Sequence, residues 1–301
     1  MKTLLIILVS LFSCLSYASI HDYKKVTWNM QGSGGGNKWA TSVLNALLNN
    51  GDAAAPDVVA IQEGGAGPGY FDNLGAYRPI SGVTQLPEPG TSLSPIPVTA
   101  EGFSTGYPEV MEFKWVITRR GQVVATYYVY GAISDLSSSG RPGRVNSFLI
   151  SRHRADEVIL IASRLQDTVS GTRPNFGIRL GTSYLFSNHS VSNTSAASDS
   201  AHRMSQIEQF VSARGLQNDW VLMGDFNASP ENVTLQASNY PELSDIDFVY
   251  TGETTQTSGN ELDYMVFRDV QGAGGGNVSA TVFFAMLISM YNSDHFPVRF
   301  Y

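Results

Sequence analysis

The sequence contains a single cysteine, Cys14, among its 301 residues. A disulfide bond needs two cysteines, so no intrachain disulfide stabilises this chain. The fold must therefore depend on its hydrophobic core, and a chain of this length can bury one large core. We expect a single domain over residues 19–301.

Long apolar runs are also scarce, and no segment is predicted to be a transmembrane helix. Leu4–Leu15 is apolar but too short to span a bilayer, and Ser16–Ala18 follows it as a small-x-small cleavage site. We therefore predict a secretory signal peptide over residues 1–18. The alternatives are a buried N-terminal strand or helix, and a lipoprotein signal ending at Cys14. The later run Phe283–Ile288 is short and is predicted to be a buried strand.

Positive charge is in deficit, because the net charge is −7, and this argues against a generic nucleic-acid coat protein. The charge is unevenly distributed. Residues 141–179 carry seven arginines against three acids, whereas residues 204–301 carry three arginines against twelve acids. Ordinary surface variation is one explanation. The other is a polyanionic substrate held between a basic surface and a metal-binding cluster of acids.

Predicted strands alternate with helices in the first half of the chain and dominate the second half, which indicates an α/β fold. Helices are predicted over Lys38–Leu48 and Ser198–Arg214, where apolar residues recur on one face. Ser81–Pro108 is rich in Pro, Gly, Ser and Thr and is predicted to be a long surface excursion. The predicted strands are Lys25–Trp28, Val58–Gln62, Val123–Ala132, Ser147–Ser151, Val158–Ala162, Ser183–Ser187, Trp220–Met223, Leu262–Phe267, Ala280–Phe284 and Val298–Phe300.

The most informative positions are polar residues that stand where predicted strands begin or end, because such ends converge where open α/β sheets bind ligands. Carboxylates hold a hard cation, amides bind a phosphate or water, and imidazoles move protons. Asp263 lies within an apolar run, where a carboxylate is costly unless a group such as histidine pairs with it. Taken singly, each position has a structural alternative, such as an Asx turn at Asp225–Asn227. The set is Asn29, Glu63, His189, Asp225, Asn227, Asp263, Asp294 and His295.

In this order the set resembles the endonuclease/exonuclease/phosphatase superfamily, whose type member is deoxyribonuclease I. The segments Thr27–Ser33, Arg144–Asn146, Ile150–Val158 and Gly224–Pro230 narrow the resemblance to the catalytic B subunits of cytolethal distending toxins. The resemblance covers nearly the whole chain after residue 23 and is thinnest between residues 64 and 123. It implies a deoxyribonuclease I-like α/β fold, a four-layer sandwich of two packed mixed β-sheets flanked by helices.

The resemblance also implies a role for each site residue and one bound Mg²⁺, with Mn²⁺ or Ca²⁺ as supporting ions. Water attacks the phosphorus in line, activated either by the His295–Asp263 pair or by Asp225. No counterpart is found for the glutamate that supports the first histidine of deoxyribonuclease I, so the partner of His189 stays unassigned. The implied residues are Glu63, Asp294 and Asn29 as metal ligands; His189, His295, Asp225, Asn227 and Asp263 as catalytic residues; and Arg144 and Arg173 as phosphate-binding residues.

The leading hypothesis is therefore a secreted bacterial genotoxin component, a Mg²⁺-dependent deoxyribonuclease that hydrolyses double-stranded DNA inside host cells. The resemblance implies delivery by lectin-like or pertussis-like partner subunits and action in the nucleus. One alternative is a phosphatase of phosphatidylinositol polyphosphates that uses the same site. A lipid enzyme should expose an apolar or basic loop, and Ser81–Pro108 is neither strongly basic nor aromatic. The other alternative is a catalytically inactive binding module of the same fold.

Overall fold

The computed structural model describes residues 19–32, 38–48, 55–71, 76–104, 106–136, 142–163, 173–215, 217–270, 278–282 and 293–301. The predicted signal peptide, residues 1–18, lies outside the described residues. So does the predicted strand Phe283–Ile288.

The described residues form strands β1–β17 and helices α1–α3. The strands are β1 (Lys25–Asn29), β2 (Val58–Gln62), β3 (Gly69–Phe71), β4 (Tyr77–Pro79), β5 (Val83–Leu86), β6 (Val98–Glu101), β7 (Glu109–Arg119), β8 (Gln122–Ile133), β9 (Ser147–Ser151), β10 (Glu157–Ile161), β11 (Asn175–Leu180), β12 (Ser183–His189), β13 (Asp219–Asp225), β14 (Asp247–Val249), β15 (Asp263–Arg268), β16 (Ala280–Val282) and β17 (Val298–Phe300). The helices are α1 (Trp39–Leu48), which is wound as a π-helix, α2 (Ala196–Ser212) and α3 (Pro230–Ala237), with short 3₁₀ turns at Ile20–Asp22 and Pro241–Leu243.

Two mixed sheets contain most of these strands. Within the described ranges, the first sheet has the order β16-β17-β1-β2-β9-β8-β7-β5 and the second has the order β14-β15-β13-β12-β11-β10-β6. Strands β1 and β2 are parallel, as are β12 and β13, whereas β15 runs antiparallel to β13. The strands β3 and β4 form a separate antiparallel pair.

The two sheets pack face to face over a shared hydrophobic core. Ala60 and Leu149 from the first sheet belong to the same buried cluster as Leu185 and Val221 from the second. Every residue of β1, β2, β12 and β13 is buried. Strands that are covered on both faces lose the alternation of polar and apolar residues, which explains the continuous apolar runs in the sequence.

Helices cover the outer face of each sheet. Trp39 of α1 packs edge-on against Phe148 of the first sheet, with ring centroids 5.2 Å apart. Ile207 of α2 and Val233 of α3 share a buried cluster with Leu222 of the second sheet. The layers are therefore helix, sheet, sheet and helix, and the predicted four-layer sandwich is confirmed.

The predicted surface excursion Ser81–Pro108 has more structure than the sequence indicated. Its β5 pairs with β7 at one edge of the first sheet, and its β6 pairs in parallel with β10 at one edge of the second. The excursion thus connects the edges of the two sheets, although many of its residues are exposed. Outside this excursion, strands β3, β4, β7, β11 and β14 and helix α3 were not predicted either. Among the described helices, none is long and apolar enough to cross a membrane.

Strand register brings the predicted site residues together. In the second sheet His189 lies opposite Asp225, and Asp225 lies opposite Asp263, so three polar side chains occupy one row across three strands. In the first sheet Asn29 lies opposite Gln62, the residue before Glu63. Each sheet therefore contributes its own group of polar residues at the end of its strands.

Candidate active site

A cavity of about 170 Å³ lies where these strand ends of the two sheets meet. Nine of the ten residues predicted from the sequence line it, and the tenth, Asp263, lies directly behind His295. Three further residues that were not predicted to form the site complete the lining. The lining residues are Asn29, Gln31, Glu63, Arg144, Arg173, His189, Ser192, Asp225, Asn227, Gln256, Asp294 and His295.

Asp225 is the central acceptor of the site. Its Oδ2 accepts hydrogen bonds from Asn29 Nδ2 at 2.9 Å and from Asn227 Nδ2 at 3.2 Å, and its Oδ1 accepts one from the Asn227 amide at 2.8 Å. The bond from Asn29 joins the first sheet to the second. Burial raises the pKa of Asp225, and the charge of Asp263 raises it further. The carboxylate is therefore fixed by three donors in a poorly solvated place.

His295 and Asp263 form a buried hydrogen-bonded pair. His295 Nδ1 lies 2.7 Å from Asp263 Oδ2, and the backbone amide of Asp263 donates to Thr255 Oγ1 at 3.0 Å. Burial lowers the pKa of His295, but the nearby carboxylates, Asp263 first, outweigh burial and raise this pKa to about 9. Because Asp263 retains the proton on Nδ1, protonation changes occur at Nε2. Nε2 lies 3.8 Å from Asp225 Oδ2 and 3.8 Å from Asp294 Oδ1.

His189 has the opposite environment. Burial lowers its pKa, and so does the charge of Arg173, although a contact with Glu63 opposes both. Glu63 Oε1 lies 3.5 Å from His189 Nε2, so Glu63 supplies the partner that sequence analysis left unassigned. His189 Nδ1 is buried and has no hydrogen-bond partner among the described residues. The two imidazoles therefore differ in proton affinity, which is the usual basis for different acid–base roles.

The predicted metal ligands fit a hard divalent cation. Glu63 Oε2 and Asp294 Oδ1 are buried atoms that accept no hydrogen bond from any residue that the structure describes, and both side chains line the cavity. Buried carboxylate oxygens without donors are costly unless a cation or a ligand contacts them. Asn29 Oδ1 accepts a hydrogen bond from the Gln31 amide at 3.0 Å and keeps a second lone pair.

A different group of residues also has a spacing that could hold a metal ion. Oxygen or nitrogen atoms of Asp225, Asp263 and His295 all lie within 4.8 Å of one another. However, the 2.7 Å distance between Asp263 and His295 is that of a direct hydrogen bond, and Asp263 does not line the cavity. Glu63 and Asp294 both line the cavity and each keeps an oxygen that accepts no hydrogen bond from the described residues, so they make the better cation site.

The two predicted phosphate-binding arginines both line the cavity. Arg144 is exposed, and its Nε lies 3.2 Å from Glu63 Oε2. Arg173 is more buried, and its NH1 donates to the carbonyl oxygens of His189 at 3.3 Å and Ser190 at 2.9 Å. Burial and a second guanidinium, Arg203, lower the pKa of Arg173, while nearby carboxylates, Glu63 first, oppose this. Both arginines line the cavity, where they would face an anion.

Comparison with known proteins assigns the family. The model of the endonuclease/exonuclease/phosphatase family matches residues 26–295. The chain belongs to this family. It is similar to the B subunit of the cytolethal distending toxin of Escherichia coli, with 27% identity over 99% of this chain and 98% of that protein. A homolog of this toxin component from Salmonella typhi is 28% identical over 99% of this chain and 96% of its own length.

Solved structures give the same result. The cytolethal distending toxin of Haemophilus ducreyi matches with a TM-score of 0.73 and 26% identity, over 93% of this chain and 97% of that chain. The toxin of Actinobacillus actinomycetemcomitans matches with a TM-score of 0.72 and 27% identity over the same shares. The predicted resemblance to the catalytic component of these toxins and the deoxyribonuclease I-like fold are thus confirmed.

Three lining residues of this endonuclease/exonuclease/phosphatase site were not predicted from the sequence. Gln31 follows the Trp-Asn-Met motif and could have been found from its place after Asn29. Gln256 comes from the loop before β15, and its amide lies 3.2 Å from His295 Nε2. Ser192 follows the end of β12. The last two stand at no predicted strand end, so no sequence signal marked them.

Proposed function

We propose that this chain is a divalent-metal-dependent deoxyribonuclease that hydrolyses DNA phosphodiester bonds. Membership of the endonuclease/exonuclease/phosphatase family and similarity to the B subunits of cytolethal distending toxins support a phosphodiesterase. The observation that carries the proposal is the composition of one cavity. It combines carboxylate oxygens that accept no hydrogen bond from the described residues, an imidazole backed by a buried acid, and two arginines.

In this proposal the arginines bind the substrate, and residues contributed by both sheets orient the water and move the proton. Arg144 and Arg173 bind oxygens of the scissile phosphate and its neighbours through charge-assisted hydrogen bonds. Asp225, fixed by its three donors, orients the attacking water together with Asn227. His295 exchanges a proton at Nε2 while Asp263 retains the proton on Nδ1.

Glu63 and Asp294, with Asn29 beside them, would hold the Mg²⁺, and Mn²⁺ or Ca²⁺ would take the same oxygen ligands. When bound, the cation supplies a Lewis acid that offsets charge on a phosphoryl oxygen. His189, which burial keeps neutral, donates a hydrogen bond to an oxygen of the same phosphoryl group.

The proposal extends to the route by which the protein meets DNA. We propose export by a bacterium through the signal peptide over residues 1–18, ahead of one domain over residues 19–301. Lectin-like or pertussis-like subunits would then deliver the chain to a host cell, where it acts in the nucleus. Similarity to the Escherichia coli toxin component over almost the full length supports this part of the proposal.

A supercoiled-plasmid nicking assay tests the function. We expect Mg²⁺-dependent nicking that EDTA abolishes and that His189→Ala and His295→Ala each reduce by at least about 100-fold. His153→Ala is the matched control, because His153 is exposed and lies outside the cavity. Cleavage that resists EDTA would refute the metal mechanism, and cleavage that survives both substitutions would refute the histidine roles.

The same preparations separate the two alternatives. Phosphate release from phosphatidylinositol polyphosphate vesicles without plasmid nicking would establish the lipid phosphatase in place of the nuclease. Failure of the wild type on every phosphodiester and phosphomonoester tried, with Mg²⁺ present, would favour the inactive binding module.

A further inference from the structure

The N-terminal half of helix α2 buries three polar side chains. Asp199, Ser200 and Arg203 are 8%, 0% and 2% exposed, respectively. A helix that packs on a sheet normally buries an apolar stripe, and a buried charge is costly unless it is paired and hydrogen-bonded. Further along α2 the buried face mixes the apolar Met204 and Ile207 with Glu208, which is paired with Arg268. The burial of Asp199, Ser200 and Arg203 therefore needs a specific explanation from the groups that they contact.

Arg203 uses its whole guanidinium within the protein. Its Nε donates to Asp199 Oδ2 at 2.9 Å, and its NH1 donates to Asn175 Oδ1 at 3.1 Å. Its NH2 donates to the carbonyl oxygen of Arg173 at 2.9 Å. Arg203 thus fixes the backbone at the start of β11, and that backbone carries the arginine that lines the cavity.

Asp199 and Ser200 contact the chain just beyond the ends of β12 and β13. Asp199 Oδ2 also accepts a hydrogen bond from the Val191 amide at 3.2 Å, two residues beyond His189. Ser200 Oγ lies 2.7 Å from Ser190 Oγ and donates to the carbonyl oxygen of Phe226 at 3.3 Å. Three chain segments are therefore hydrogen-bonded to the same part of α2.

These segments are also joined to one another at the cavity. Arg173 NH1 bonds the carbonyl oxygens of His189 and Ser190, and Asn227 Nδ2 donates to the same Ser190 oxygen at 3.0 Å. Asp199 lies against Arg203 and offsets its charge, so the positive charge of Arg173 remains available to the cavity. A displacement of Arg203 would move three lining residues together.

We propose that Asp199, Ser200 and Arg203 form a positioning platform that sets Arg173, and with it His189 and Asn227, for binding a phosphate group. The platform contacts the backbone of the site and does not touch the substrate. The catalytic part of this inference rests on the proposed function, but the phosphate-binding part does not.

The test uses a double variant, because removing one partner of a buried ion pair leaves an uncompensated charge and endangers folding. Asp199→Asn with Arg203→Gln removes both charges, and Arg203→Lys alone keeps the charge with a different shape. The matched control is Glu208→Gln with Arg268→Gln. Glu208 also lies on α2 and forms a buried pair with Arg268 of β15, and neither residue lines the cavity.

Two measurements are made on each variant. The first is the rise in melting temperature on adding inorganic phosphate, and the second is kcat/KM for plasmid nicking. We expect the platform double variant to lose the phosphate-dependent rise, as Arg173→Ala does, and to lose about 10- to 100-fold in kcat/KM. Adding Arg173→Ala to it should cause little further loss, since both act through one guanidinium. Arg203→Lys should recover part of the loss.

The control pair should lower the melting temperature but keep the phosphate-dependent rise and kcat/KM. A platform variant that behaves like this control would show a merely structural role and overturn the inference. The inference would also be overturned if phosphate did not raise the melting temperature of the wild-type protein. A wild type that binds phosphate through Arg173 and the platform, yet cleaves no phosphodiester, would support the platform and refute the proposed function.

Discussion

The hydrogen bond between Asp263 and His295 offers the sharpest perturbation of the site. Asp263→Asn keeps the shape of a side chain that is fully buried and removes its charge. If the new amide nitrogen faces His295 Nδ1, that ring nitrogen must accept, so the neutral ring carries its proton on Nε2 and cannot take up a proton there. If the amide oxygen faces Nδ1 instead, the tautomer is kept but the stabilising charge is lost.

The size of the effect follows from the pKa of His295. The nearby carboxylates raise this pKa from 6.5 to about 9 against the opposing effect of burial, and Asp263 has the largest effect of these carboxylates. This rise in the pKa of His295 corresponds to about 3.4 kcal/mol, or a factor of about 300. Loss of the correct tautomer in other acid–histidine systems costs about 10⁴-fold. We therefore expect Asp263→Asn to lower the rate of nicking by about 10² to 10⁴-fold.

The assay is single-turnover plasmid nicking at saturating Mg²⁺, with thermal unfolding measured in parallel. Thermal unfolding is needed because Asp263 is paired with His295, and removing one partner of a buried pair can destabilise the fold. Asp269→Asn is the matched control, since Asp269 Oδ2 lies 2.8 Å from His21 Nε2 outside the cavity. A folded Asp263→Asn variant within about threefold of the wild-type rate would refute the reasoning.

Three further predictions concern the metal, an arginine and pH. Glu63→Gln should raise the Mg²⁺ concentration for half-maximal nicking at least about tenfold, because a carboxylate ligand is lost, and an unchanged requirement would contradict the ligand role. Gly32→Ala should raise KM for plasmid, because Gly32 has a φ of +35° and an added Cβ would lie 2.0 Å from Arg144 Cγ. In the control Gly121→Ala, the added Cβ has nothing within 4 Å, so KM should stay unchanged. Burial lowers the pKa of Lys25 from 10.5 to about 8, so the folded state binds fewer protons between these values and stability rises with pH there. In urea unfolding, the wild type should gain about 2 kcal/mol more than Lys25→Met between pH 7.5 and 9.5, and equal gains would contradict the shift.

Much of the site could be predicted because strand ends are visible in the sequence. A buried apolar run that stops at an acid or an amide marks both the strand and its last residue, as at Asp225. The pairing that aligns Asp225 with Asp263 is not visible, because an antiparallel register between β13 and β15 depends on long-range contacts. The family resemblance identified the site residues along the chain. Only the strand register of the structure shows how far apart their side chains lie.

The platform on α2 could not be predicted for a different reason. Asp199 and Arg203 are four residues apart, the spacing of an ordinary ion pair on an exposed helix face. Only the packing of α2 on the second sheet turns that face inwards, where Arg203 is 2% exposed. Helical periodicity identified Met204 and Ile207 as buried, but it assigns a charged neighbour to solvent by default.

The strand-end motifs at Asn29 and Asp225 share one local structure, an Asx turn. In both motifs this turn is compatible with a functional role for the same residue. Asn29 Oδ1 accepts the amide of Gln31, and Asp225 Oδ1 accepts the amide of Asn227, so each is an Asx turn. Gln31 and Asn227 are left-handed, with φ of 53° and 51°, and so is Glu63 at 53°; all three line the cavity. Such a backbone costs on the order of 1 kcal/mol per residue, and it persists only where surrounding bonds hold it. Here the side chain that closes each turn is itself a predicted site residue. The turn directs the chain sharply away from the strand, and its oxygen or amide still reaches the cavity, as the bond from Asn29 to Asp225 does. An Asx turn at Asp225 is therefore no alternative to a functional role, since the same geometry produces both.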